Sequence, residues 1–131
     1  MNKEKGFSLI ELIIVIVVLG ILAVAIVYRF GSIGIDTSAI VAVDQTIADI
    51  QYTQILAMSQ AAQKSISFTS GFDSYNVAGE IKKLPGGVTA GNTITFTFNS
   101  LGEPASGGGQ TVTIGERQIK VWAITGNTEA L

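Results

Sequence analysis

The chain opens with a long segment in which apolar positions follow one another almost without interruption. Phe7 to Phe30 is predominantly apolar, and Leu12 to Tyr28 contains no charged residue. As a helix rising about 1.5 Å per residue, this segment is roughly 36 Å long, against a hydrocarbon core of about 30 Å. We therefore expect residues 7–30 to form a slightly tilted helix that spans a membrane.

The charges that precede this segment indicate its orientation. Lys3 and Lys5 lie on its N-terminal side, and positively charged flanks remain in the cytoplasm. A cleaved secretory signal has a shorter apolar region that ends at a small-residue cleavage site, so the segment resembles a single-pass anchor. We expect residues 31–131 to form one domain on the far side of the membrane.

A second apolar pattern, with the period of a helix, predicts an amphipathic helix over about residues 38–63, capped within 36–38. Val41, Tyr52, Ile55 and Met58 widen its apolar side, which predicts broad burial within its own domain. Contact of Val41, Ala48 and Ile55 with neighbouring subunits remains an alternative. The apolar positions at the centre of the predicted buried side, which we call the seam, are Ile40, Val43, Ile47, Ile50, Ala57 and Ala61.

Two glycines lie between the two predicted helices. Gly31 and Gly34 each cost roughly 1 kcal/mol relative to Ala inside a helix. They predict a bend, fray or break between residues 31 and 37.

Beyond Gln63 the pattern changes to short alternating runs rich in Thr, Ser and β-branched residues. The runs 65–69, 93–99, 111–114 and 118–124 predict strands that each turn apolar residues to one face, and glycine-containing turns separate them. We predict one antiparallel sheet over about 65–124. A long N-terminal hydrophobic helix packed on an antiparallel sheet is an α+β architecture.

The amino-acid composition limits the chemical reactions and ligands that the chain can support. The 131 residues include no Cys and no His, which removes thiol nucleophiles, the commonest general base and the commonest metal ligand. The acidic residues are dispersed, and the net charge of −2 gives no basic field for nucleic acid. We expect no enzymatic activity, no cofactor, no metal site and no nucleic-acid partner.

Glu11 is the unusual residue of the anchor, because it places a carboxylate at the edge of the apolar run. An ionised side chain in the membrane interior costs on the order of 3 kcal/mol. One interpretation is that Glu11 reaches the cytoplasmic interface and meets the positive end of the helix dipole. The other is that it pairs with a buried cation.

Residues 5–12, Lys-Gly-Phe-Ser-Leu-Ile-Glu-Leu, and the apolar run after them resemble the class III signal of type IV prepilins and pseudopilins. The resemblance implies the pilin fold, removal of a leader 1–6 by cleavage between Gly6 and Phe7, and N-methylation of Phe7 by the prepilin peptidase. The new amine stays cationic, since an α-amino group has a pKa of about 8. Glu11 can accept it at i+4 in its own chain or from a neighbouring subunit, which would align subunits during assembly.

Later segments resemble particular pilins. Residues 28–30 and 44–58 resemble minor pilins of the mannose-sensitive haemagglutinin (MSHA) type, and 94–104 resembles FimT and general-secretion protein H. FimT-like pilins bind DNA through basic C-terminal residues, whereas no positive side chain follows Lys120. Trp122 is either an adhesive or subunit contact or a packed edge residue.

We interpret the chain as a structural subunit of a type IV pilus (fimbrium), most similar to a minor pilin. The implied partners are the major pilin, other minor pilins, the prepilin peptidase, the inner-membrane assembly platform and, before assembly, membrane lipid. The implied location is the inner membrane and then the pilus or a periplasmic pseudopilus. Alternatives are a pseudopilin of a type II protein secretion system and a membrane-anchored extracytoplasmic binding module.

Overall fold

The computed structural model describes the backbone of residues 6–131 and the side chains of 6–26 and 37–131. All of the predicted leader except Gly6 therefore lies outside the described residues. The chain divides into two compact units, Met1–Gly34 and Ile35–Leu131.

The backbone forms one helix, α1, over Leu9–Ser59. No break interrupts the helical backbone between residues 31 and 37, whereas the bend predicted there stays a prediction. The two glycines cost about 1 kcal/mol each, whereas ending a helix leaves several N–H and C=O groups without intrahelical partners. The candidate caps at 36–38 accordingly lie inside α1.

Helix α1 ends four residues earlier than predicted, in a Schellman motif. The amide of Ala61 donates to the carbonyl of Met58 (3.3 Å), and that of Ala62 to Ala57 (3.1 Å). Ala61 adopts a φ of 47°, a conformation in which glycine is usual. Because Ala replaces the glycine signal, the sequence pattern did not reveal this end, and Ala61 falls outside the helix instead of continuing its seam.

Two antiparallel sheets follow, where the sequence predicted one. The first contains β1 (Lys64–Phe68), β2 (Ser74–Val77), β3 (Glu80–Lys83), β4 (Ile94–Phe98) and β5 (Pro104–Ser106) in the order β3-β2-β1-β4-β5. The second contains β6 (Thr111–Ile114), β7 (Arg117–Val121) and β8 (Thr128–Ala130) in that order. A short 3-10 turn, Pro85–Gly87, lies between β3 and β4. Four short strands, β2, β3, β5 and β8, were not predicted, because they do not show the clear Thr and β-branched alternation of Thr111–Ile114.

The core confirms the predicted inward faces of the longer strands. Ile66 and Phe68 of β1 are buried, as are Phe96 of β4 and Ile119 and Val121 of β7. Residues of both sheets and of α1 belong to one apolar cluster. The unit Ile35–Leu131 is thus an α+β domain with an apolar N-terminal helix preceding it, the pilin-like fold expected.

A polar side chain joins the two sheets. Asn92 Nδ2 donates to the carbonyl of Thr111 (2.9 Å), and its Oδ1 accepts from the amide of Thr113 (2.8 Å). An isolated bridge between Ala90 and Ile114 lies beside it. These bonds fix the register of β6 against the segment that leads into β4.

Candidate assembly site

The residues predicted for processing lie just before the helix. Gly6, Phe7 and Ser8 are outside α1, and the Phe7 side chain is 79% exposed. The Ser8 carbonyl accepts from the amides of Glu11 (3.0 Å) and Leu12 (3.2 Å), so the helix begins directly after Ser8. An exposed, non-helical segment here is the kind of backbone that a peptidase can bind.

Glu11 is exposed in the first turn of α1. Ser8 and Glu11 have the Ser-x-x-Glu spacing of a capping box, which is typical of a helix N-terminus. Phe7 precedes the helix, so helical geometry does not determine its position relative to Glu11. Both pairings of Glu11, within one chain and with a neighbouring subunit, stay predictions.

The segment Leu9–Ile26 is long and apolar enough to cross a membrane, and none of it is buried within the protein. Its large side chains are exposed on all sides, with Leu9 at 76% and Val24 at 73%. An apolar surface of this extent requires lipid or other apolar helices around it. This agrees with the predicted anchor.

Within the domain, the buried side of α1 is smaller and more polar than predicted. It combines Val43, Ile50 and Ala57 of the predicted seam with small or polar residues: Ala42, Thr46, Asp49 and Thr53. The prediction that the wider apolar set lies inside is wrong, because these side chains are 44–59% exposed: Val41, Tyr52, Ile55 and Met58. Ile40 of the seam is also exposed, at 44%.

Hydrogen bonds explain how polar residues occupy the buried side. Thr46 Oγ1 donates to the carbonyl of Ala42 (2.8 Å), and Thr53 Oγ1 to that of Asp49 (2.7 Å). Each hydroxyl is satisfied within the helix, so its burial carries little cost. The apolar side chains on the opposite side are consequently left for contacts outside the domain.

Asp49 joins the helix to the first sheet. Its Oδ2 accepts from the Tyr75 hydroxyl (2.6 Å), and its Oδ1 lies 2.7 Å from Lys82 Nζ. Gln45 Nε2 donates to the same Tyr75 oxygen (2.8 Å), and the Tyr75 ring stacks on Phe68 with centroids 5.1 Å apart. This network is structural, because every polar atom named in it has a partner inside the domain.

The same network raises two pKa values. Burial, together with the hydrogen bond to Asp49, raises the pKa of Tyr75 well above its ordinary 10.0. The hydrogen bond to Asp49 raises the pKa of Lys82 above its ordinary 10.5 despite some desolvation. The folded domain therefore holds both protons more tightly than the unfolded chain does.

We predict that the domain loses stability in alkaline solution. Groups with raised pKa values contribute fully below their unfolded values, and the contribution falls as pH rises through the folded values. Titration of Tyr75 and Lys82 should therefore leave the free energy of unfolding unchanged up to about pH 9 and lower it above about pH 10. Urea unfolding followed by fluorescence of Trp122, the single tryptophan, measures it. Tyr75→Phe should flatten the alkaline decline, and an unchanged decline in that variant would contradict the assignment.

Among the side chains described, those of residues 6–26 and 37–131, no group of three or more acidic, His or Cys residues could hold a metal ion.

Comparison with known families gives the decisive observation for the N-terminal segment. Residues 1–27 match the prokaryotic N-terminal methylation motif. The match supports the type IV pilin and pseudopilin family, and it indicates a structural subunit that associates with pilin subunits and a prepilin peptidase. Comparisons with curated proteins and with solved structures gave no match.

The matched motif and the apolar helix together fit a prepilin that is anchored in a membrane and then assembles into a pilus. The motif includes Gly6, Phe7 and Glu11 but ends at residue 27. It therefore contains none of the unit Ile35–Leu131, and the subtype of pilin depends on other observations.

Proposed function

We propose that this protein is a structural subunit of a type IV pilus, of the minor pilin type. The observation that carries the proposal is the match of residues 1–27 to the methylation motif. The exposed apolar surface of Leu9–Ile26 supports it, because such a helix suits both lipid and a bundle of like helices.

In this proposal the prepilin peptidase cuts between Gly6 and Phe7, removes the leader 1–6 and methylates the amine of Phe7. The apolar segment 7–30 first anchors the subunit in the inner membrane, with its N-terminus in the cytoplasm and residues 31–131 outside. Lys3 and Lys5 favour this orientation. The subunit then leaves the membrane as its helix packs beside those of other pilins.

In this proposal Glu11 determines the axial position at which the subunit enters the filament. The cationic amine of Phe7 and the Glu11 carboxylate both lie at the start of an apolar helix, where an unpaired charge is costly. Phe7 precedes α1, which favours a Glu11 partner from a neighbouring chain over a helical pair within one chain. The pairing of each Glu11 with a neighbour's amine then fixes the axial offset between subunits.

Sequence features favour a minor subunit. The chain has no Cys, whereas many major pilins close their C-terminal region with a disulfide. Residues 28–30 and 44–58 resemble MSHA-type minor pilins, and 94–104 resembles FimT and general-secretion protein H. The major pilin, other minor pilins and the inner-membrane assembly platform are then its partners.

The N-terminal peptide tests the proposal directly. We expect peptide mass spectrometry of sheared surface filaments to find a methylated peptide beginning at Phe7, at low abundance relative to the major pilin. High abundance would instead assign a major pilin. Retention of Met1 in the mature protein would contradict the pilin assignment and favour a membrane-anchored binding module.

A pseudopilin of a type II secretion system is the second candidate, because 94–104 resembles general-secretion protein H. The same measurement separates the two functions. A processed Phe7 peptide confined to the membrane fraction favours the pseudopilin, whereas its presence in surface filaments favours the pilin.

A further inference from the structure

Sulfur in this chain occurs only in methionine. The sequence contains Met1 and Met58 and no Cys. Met58 lies in the last turn of α1, and its side chain is 44% exposed. A thioether within reach of solvent is open to oxidation to the sulfoxide, which replaces a flexible apolar group by a polar, chiral one. The effect of that change depends on what the sulfur contacts.

The sulfur of Met58 packs against the loop that follows β4. A Cβ built on Gly102 would lie 2.8 Å from Met58 Sδ and 3.1 Å from Met58 Cγ, closer than a real Cβ approaches a neighbour. Gly102 is buried, and its φ of 80° favours glycine. The side of the sulfur that faces this glycine therefore has no room for an additional oxygen atom.

Gln54, one turn before Met58, joins the same loop to a second one. Its Nε2 donates to the carbonyls of Gly102 (2.7 Å) and Thr125 (2.8 Å). A side-chain amide nitrogen carries two N–H groups, so both donors of Gln54 are in use. One side of α1 thereby holds the loops after β4 and β7. We call the four residues that meet here the loop junction: Gln54, Met58, Gly102 and Thr125.

The loop junction is closely packed on the core. A Cβ built on Gly126 would lie 2.8 Å from Gln54 Nε2 and 2.9 Å from Phe98 Cε1. Phe98 belongs to the buried apolar cluster. The amide of Gln54 is therefore enclosed between the two loops and the core, and its two hydrogen bonds are sensitive to any polar group added beside it.

We propose that Met58 is an oxidation site and that its sulfoxide releases both loops from α1. The Sδ lone pair attacks a peroxide oxygen, so the S–O bond forms as the O–O bond breaks. The second oxygen leaves as hydroxide and is protonated to water, which reduces the peroxide by the two electrons that the sulfur loses. Residues four apart on a helix are neighbours. The sulfoxide oxygen of Met58 then accepts an N–H of Gln54 in place of a loop carbonyl.

The released loops carry exposed apolar side chains. Leu101, in the loop after β4, is 73% exposed, and Ile124, in the loop after β7, is 81% exposed. Oxidation of Met58 therefore changes the surface of the domain at both loops and leaves the core strands in place. The inference stands apart from the proposed function, because neither processing nor membrane insertion of the N-terminal segment enters it.

Hydrogen–deuterium exchange with peptide mass spectrometry tests the proposal on the full-length chain in detergent micelles treated with hydrogen peroxide. We expect one added oxygen on Met58 and about tenfold faster exchange in residues 99–103 and 122–127. A tenfold change corresponds to about 1.4 kcal/mol, within the net contribution of one hydrogen bond. Residues 74–83, which contain β2 and β3, should exchange at an unchanged rate. Methionine sulfoxide reductases should reverse the effect.

Met58→Leu is the matched variant, since Leu fills a similar volume without sulfur. Its loops should exchange slowly in peroxide, although Met1 is still oxidised. Gln54→Leu removes both donors, so loop exchange should be fast before treatment and should not rise further with peroxide. Slow exchange of residues 74–83 reports that each variant is folded.

Three results would overturn the proposal. Oxidation of Met1 without oxidation of Met58 would show that the loop junction shields the sulfur. A sulfoxide at Met58 with unchanged loop exchange would remove the link through Gln54. Faster exchange across residues 74–83 as well would show general destabilisation of the domain instead of release of the two loops.

Discussion

Replacing Glu11 by Gln is expected to leave membrane insertion and leader cleavage intact but to reduce incorporation into filaments by about a hundredfold. Gln keeps the size of the side chain and removes its charge, so the Phe7 amine of a neighbouring subunit enters an apolar bundle without a counter-ion. Removing one partner of a buried ion pair costs about 3–5 kcal/mol, and about 2.7 kcal/mol corresponds to a hundredfold change. Quantification of the Phe7 peptide in filament and membrane fractions measures the effect.

The matched control for this substitution is Glu80→Gln, which neutralises an exposed carboxylate on β3. It should enter filaments at the natural level, because no buried charge depends on it. Glu11→Asp keeps the charge and should recover part of the incorporation. Incorporation of Glu11→Gln into filaments at the natural level would contradict the proposal that Glu11 aligns subunits.

The second large effect is expected from Asp49→Ala, which should lower the free energy of unfolding of the domain by about 3 kcal/mol. Asp49 is 7% exposed and accepts from both Tyr75 and Lys82. Its removal leaves a buried hydroxyl and an ammonium without their acceptor. We place the effect at the lower end of the usual range because the Lys82 side chain is 34% exposed and regains water.

Urea unfolding of the full-length chain in detergent micelles, followed by Trp122 fluorescence, measures this loss. Asp44→Ala is the matched control, since Asp44 is exposed on the same helix, and it should change stability by less than about 0.5 kcal/mol. Asp49→Asn should lie between the two, because its amide oxygen still accepts from Tyr75 but carries no charge for Lys82. Equal losses in the Asp44 and Asp49 variants would contradict the network.

The faces of the strands illustrate how much a local pattern can predict. In β1, β4 and β7, alternation of apolar and polar residues places the large side chains of one strand on one side. The inward faces of these strands were predicted correctly because each alternation is long enough to be clear, whereas the predicted strand 118–124 ends at Val121. The division into two sheets was missed, since strand pairing depends on contacts between residues distant in the chain.

Helix α1 shows where periodicity is ambiguous. Its C-terminal part carries apolar residues on more than one side, so period alone could not decide which side enters the core. Thr46 and Thr53 can be buried because each hydroxyl donates a hydrogen bond to the carbonyl one turn earlier in the helix. Asp49 can be buried because its carboxylate accepts hydrogen bonds from Tyr75 and Lys82. Tyr75 and Lys82 lie on strands that the sequence pattern did not reveal.

The N-terminal candidate site was the part most accessible to sequence reasoning. Gly6, Phe7 and Glu11 lie in a short contiguous motif, and their spacing to the apolar run needs no tertiary structure. The packing of the loops after β4 and β7 was not accessible in this way, because Gln54 of α1 brings them together by donating to the carbonyls of Gly102 and Thr125.

The sequence by itself determined the apolar helix, the charge placement before it, the methylation motif and the α+β class, because each follows from neighbouring residues and their period. Only the tertiary structure decided which side of α1 is buried and that the strands form two sheets. The physical reason is that hydrogen-bond partners such as Tyr75 and Lys82, distant in sequence, determine which polar groups can be buried and which apolar groups remain outside.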